Sequence, residues 1–187
     1  MTRLARRWLF GFALLANFAW AEPADTVDLR RSAETGDISA QTKLGALYVV
    51  GEGVPQDYAE AVKWLRKAAD GGDSTAQFLL AGMYVEGRGV PKDASEAVRW
   101  YRKAAEQGDD GAQVALGVCY VNGDGVAKDL AQGFAWLSIS DTNGNEKARE
   151  FLDILEKGMT AEQMTEGTKI ARALFKRLPR PSHGISP

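Results

Sequence analysis

The chain has 187 residues, 45% hydrophobic and 26% charged, with a formal net charge of −2. That balance suits one ordinary folded domain and excludes a compositionally disordered polymer. Beyond residue 21, twenty basic residues face twenty-five acidic ones, a net of about −5 with no basic cluster in the sequence, so a nucleic-acid partner is not expected.

Residues 1–21 read as an export signal. Arg3, Arg6 and Arg7 form a positive start, Trp8–Phe18 an apolar core too short to span a bilayer, and Ala19-Trp20-Ala21 a cleavage site before Glu22. The mature protein is then periplasmic or secreted, with no stable membrane insertion. Arg6-Arg7 weakly resembles a twin-arginine motif, so the export route stays open.

From there the chain repeats. Three blocks align at a spacing of 36 residues without a gap. Ala40, Ala76 and Ala112 coincide, as do Leu44, Leu80 and Leu116, and then Tyr48, Tyr84 and Tyr120. Gly51 and Gly53 fall on Gly87 and Gly89, then on Gly123 and Gly125; Trp64, Trp100 and Trp136 close the register. Such periodicity marks stacked supersecondary units. In each unit the four-residue steps place Ala, Leu and Tyr on one face of a first helix beginning near Asp37, Asp73 or Asp109. A glycine-rich turn stops it. A second helix starts at a capping box: Asp57 with Glu60, Asp93 with Glu96, Asp129 with Gln132. It ends at Gly72 or Gly108. The boundaries predicted are a half-unit over 22–36, units over 37–72, 73–108 and 109–144, capping helices over 145–178 led by a Thr160–Gln163 box, and a loose tail over 179–187. The fold class is all-α, a right-handed α-solenoid of stacked hairpins.

The segments Ala40-Gln41-Thr-Lys-Leu44-Gly45-Ala-Leu-Tyr48, Gly51-Glu-Gly53-Val54-Pro-Gln-Asp57 and Lys67-Ala68-Ala69 resemble the Sel1-like repeat, a relative of the tetratricopeptide repeat. The resemblance covers roughly residues 28–155. The third unit departs from it, with Leu137-Ser-Ile-Ser140 in place of Tyr-x-Lys-Ala-Ala.

Residue types for catalysis are sparse. His183, the single histidine, lies in the tail, which excludes a Ser-His-Asp triad and leaves no metal-ligand cluster in the body. Cys119 is the single cysteine, so no intramolecular disulfide can form; its equivalents Leu47 and Met83 mark it as a small core residue. Asp109-Asp110 opens a helix, where carboxylates are favoured by the dipole. No cofactor is expected.

What the repeat leaves unfixed is the candidate surface. Down the first helices these positions are Ser39, Thr75 and Gly111; Lys43, Leu79 and Ala115; Val50, Glu86 and Asn122. In related repeats the first helices line the concave side, so the resemblance implies a protein or peptide ligand held there by a non-catalytic adaptor. It also leaves open a β-lactam-binding or -hydrolysing enzyme like cysteine-rich relatives, and a purely structural module of an envelope complex. The oligomeric state is not legible.

Overall fold

A computed structural model describes residues 24–179. The signal reading of residues 1–21, the tail beyond Pro179 and His183 lie outside them. The described residues form α1 (Ala24–Glu34), α2 (Ile38–Val50), α3 (Tyr58–Asp70), α4 (Ser74–Glu86), α5 (Ala94–Glu106), α6 (Asp110–Asn122), α7 (Leu130–Thr142), α8 (Glu146–Leu155) with a 3-10 turn over Glu156–Gly158, and α9 (Ala161–Arg177). The hairpins α2–α3, α4–α5 and α6–α7 stack into an α-solenoid, each second helix packing on the next first helix.

The ends of the helices follow local chemistry. Asp37, Asp73 and Asp109 cap the first helices by accepting from the backbone N–H groups of Ala40, Ala76 and Ala112. Asp57, Asp93 and Asp129 cap the second helices by accepting from Glu60, Glu96 and Gln132. The return bond of the expected boxes is not made at Asp57, Asp93 or Asp129, because the backbone N–H of each already donates to the carbonyl of Tyr48, Tyr84 or Tyr120. Glu60 and Glu96 turn along the helix to Lys63 at 3.0 Å and Arg99 at 2.8 Å, one turn on. Thr160 and Gln163 do close a box in both directions.

The repeated residues divide between two jobs. Leu44, Leu80 and Leu116 are fully buried and, with Ala61, Ala68, Ala97 and Ala104, form the continuous core. A Cβ on Gly45 would lie 2.7 Å from Leu65, and one on Gly117 2.8 Å from Leu137, so the small residue there seats the second helix against the first. Other repeated residues tie one unit to the next. Gln41, Gln77 and Gln113 are buried and donate to the carbonyls of Ala33, Ala69 and Ala105 at 3.0, 3.0 and 3.2 Å. Those carbonyls lie at the end of the preceding helix, where each accepts from the backbone N–H of Gly36, Gly72 or Gly108, and the glutamine adds a second donor across the join between units. Arg30, Arg66 and Arg102 reach the hydroxyls of Tyr48, Tyr84 and Tyr120 in the next first helix. The second glycine of each turn also lies between units: Gly89 has φ +70° and abuts Tyr58, the first residue of α3.

The fourth unit breaks the pattern. In register with Gly45, Ala81 and Gly117, α8 carries Asp153, which is exposed and leaves no seat for a second helix. The last helix goes elsewhere. α9 lies along α7, with Gly167 against Phe134 and the Ala131 carbonyl, and beyond its far end Pro179 lies 3.7 Å from where a Cβ on Gly108, after α5, would stand. This accounts for the odd ending of the third unit. Where α3 has Lys63, Arg66 and Lys67, α7 has Ala135, Ser138 and Ile139, and Ile139 and Ala135 are buried. A lysine there would be trapped beneath α9 without a partner.

Candidate functional site

The first helices α4, α6 and α8 border a groove of about 860 Å³. Phe78 and Val85 come from α4; Gly111, Val114, Ala115, Val118 and Cys119 from α6; Lys147 and Phe151 from α8. Ala97 and Tyr101 of α5 form its floor, and Lys92, Asp124, Asn145 and Glu146 its rim. These positions recur because residues three and four apart share one helix face.

Apolar side chains dominate the wall. Val85 is 39% exposed and Phe151 42%, so the groove presents large hydrophobes to solvent. The Phe78 and Tyr101 rings meet at 5.8 Å between centroids, tilted by 46°. Burial pushes the Tyr101 hydroxyl up to about 12, helped by Cys119 and Glu86. Burial likewise pushes the Cys119 thiol up to about 11, helped by Asp124. Both groups are neutral at physiological pH, so the floor carries no charge and Cys119 is not a thiolate nucleophile.

Of the nine positions singled out from the sequence, Ala115 and Gly111 line the groove. Ser39, Lys43, Thr75, Glu86 and Asn122 are exposed but outside it, as is Val50 at 63% exposure. Leu79 is half-buried against the core. The variable columns were followed through three units and not into the fourth first helix, where Lys147 and Phe151 continue the columns of Ser39 and Lys43. It also passed over the neighbouring column of Phe78 and Val114, a run of residue types as variable as those it noted.

Among the described residues no group of three His, Cys, Asp or Glu could hold a metal ion, and no helix is long and apolar enough to cross a membrane.

The family model for the Sel1 repeat matches residues 38–73, 74–109 and 111–140. A comparison with the curated proteins finds no match. Among solved structures, a Sel1 repeat protein from Oxalobacter formigenes is 44% identical, with a TM-score of 0.64 over 69% of this chain and 97% of that one. The protein c5321, described as a protective antigen present in uropathogenic Escherichia coli strains and displaying an SLR fold, is 33% identical, with a TM-score of 0.64 over 82% of this chain. This chain spans 41% of its length. Cysteine rich protein B (hcpB) of Helicobacter pylori shares the fold at 22% identity and a TM-score of 0.55, over 68% of this chain and 96% of that one. Sel1 repeats are generally protein–protein interaction modules without catalysis, and with three of them in register this chain belongs to the Sel1 repeat family.

Proposed function

We propose that the protein is a non-catalytic scaffold that acts in the periplasm or outside the cell and holds a protein or peptide in the groove of its first helices. The observation that carries this reading is the exposure of Val85 and Phe151 on a wall otherwise built from a tightly packed repeat. Large hydrophobes left open in a concave site are contact residues for a partner's apolar side chains, while the polar rim sets orientation. Around the groove, Lys43, Ser39, Thr75, Glu86, Asn122 and Val50 are the outlying positions that a longer partner would touch. The address rests on residues 1–21.

The test is capture from an envelope extract with the wild-type protein and with Val85→Asp combined with Phe151→Asp. Both positions are exposed, so the double variant keeps its helicity and melting. It loses the partner by tenfold or more, because a buried carboxylate without a counter-charge is expensive. Equal capture by both proteins would remove the groove from the reading. Protein sequencing of the exported form, starting at Glu22, checks the address.

The enzyme alternative has less support. The likeness to the cysteine-rich protein extends to the fold, and this chain has one cysteine, with its thiol held protonated. Turnover of a chromogenic β-lactam by the purified protein, lost on one substitution in the groove, would reverse that judgement.

A further inference from the structure

The fold gathers cations that the sequence scatters. Between residues 24 and 179, the helices α3, α5 and α9 hold ten Lys and Arg against six carboxylates, while the rest of that span holds nine against eighteen. The repeat places Lys63 and Lys67 on the outward side of α3, and Arg99 and Lys103 at the equivalent positions of α5, all four exposed. In the third unit α7 has lost these cations, and α9 lies over the vacated positions with Arg172, Lys176 and Arg177 exposed. The row of positive charge therefore continues across the last unit on a different helix. Lys63, Arg99 and Lys169 pair with Glu60, Glu96 and Glu166 on their own helices, but Lys67, Lys103, Arg172, Lys176 and Arg177 make no ion pair among the described residues. Phe175 stands among them, 44% exposed, and shares a shallow hollow with Arg172, Lys176 and Ile139.

We infer that this outer face, α3, α5 and α9, docks on an anionic lipid surface. The chemistry fits a bilayer because the cations are spread over three helices on flexible stems, with no convergent pocket to clasp one anion. A sheet of phosphodiester headgroups meets such a row at many points, and the acyl boundary beneath takes an aromatic ring such as Phe175. The acidic remainder of the protein is repelled from the same surface, which orients the molecule with the first-helix groove away from the lipid. The inference goes beyond the groove reading and stands apart from it, since the two faces share no residue.

The experiment is flotation of the purified protein with vesicles of phosphatidylglycerol and phosphatidylcholine, against vesicles of phosphatidylcholine alone. The protein floats with the anionic vesicles at low salt and is released as salt rises. Each cation near an anionic leaflet contributes roughly fivefold in binding, so Arg172→Gln, Lys176→Gln and Arg177→Gln together weaken it at least tenfold. Arg99→Gln with Lys103→Gln, on a separate helix, weakens it severalfold and guards against a local fault in α9. Removing the same charge elsewhere, with Lys43→Gln, Lys128→Gln and Lys157→Gln, changes binding less than twofold. The inference is overturned if the anionic vesicles do not bind, or if the remote triple variant loses as much as the α9 variant. Binding to soluble polyglutamate without vesicle binding would also overturn it, in favour of an acidic protein.

Discussion

Two glycines of one turn separate local strain from the join between units. Gly87 and Gly89 have φ +72° and +70°, so alanine at either costs about 1–2 kcal/mol for the left-handed backbone alone. Around Gly87 the nearest atom to an added Cβ is the Lys92 Cβ at 3.3 Å, a flexible neighbour that can yield. At Gly89 the added methyl would lie 2.5 Å from the Tyr58 carbonyl carbon and 3.1 Å from the Ala59 nitrogen. Carbon atoms pack at about 3.5 Å or more, so the turn must retreat from α3 by about 1 Å. That retreat parts unit two from unit one and loosens Val90 from the core it packs on. The strain and lost packing together give about 3–5 kcal/mol for Gly89→Ala, against about 1–2 for Gly87→Ala. Urea denaturation followed by circular dichroism measures both. Gly125→Ala repeats the test one unit on, where Ala94 stands in the place of Tyr58. Equal losses for Gly87→Ala and Gly89→Ala, within about 0.5 kcal/mol, would refute the close approach between units.

Four further outcomes are expected. Trp100 is 5% exposed, its indole nitrogen has no hydrogen-bond partner, and the Lys103 ammonium stands 3.8 Å from the centroid of its ring, so Trp100→Ala loses packing and that contact and costs about 3–5 kcal/mol in the same assay. Gln77→Leu removes one of two donors to the Ala69 carbonyl, leaving the Gly72 N–H, and removes the acceptor for Gln107, which lowers stability by about 1–2 kcal/mol; an unchanged midpoint would mean the bridge carries nothing. Cys119 is alkylated at pH 8 about a hundredfold more slowly than a free cysteine, because its thiol titrates near 11. The unfolded chain gives up the Cys119 and Tyr101 protons at lower pH than the folded one. The stability linked to these groups is therefore full below about pH 8.5 and falls as pH rises from there toward 12.

The repeat made most of the architecture legible. A 36-residue register fixes which residues face inward, and the glycine turns and aspartate caps fix where helices stop. The capping boxes at Asp57, Asp93 and Asp129 were over-read because the cap N–H that the return bond needs already donates to the carbonyl of Tyr48, Tyr84 or Tyr120 across the turn. The course of α9 was less accessible, although its signals were present: Asp153 where a small seat is needed, and Ala135 and Ile139 where the earlier units carry cations. Both are tertiary signals, visible when a column is compared across units and interpreted as a contact. The groove was half legible. The variable columns led to Gly111 and Ala115, but they could not separate an exposed Lys43 from a half-buried Leu79, which depends on how neighbouring first helices approach each other. The outer cations could not be found by charge counting, since the chain as a whole is acidic.

The central claim is that a partner protein lies against the groove wall, and site-specific photo-crosslinking in the living cell tests it most directly. A benzophenone side chain placed at Val85 or Phe151 captures the same discrete protein from both positions, and the same group placed at Lys63 on α3 captures none. A protein adduct formed at Lys63 and absent from both groove positions would contradict the account.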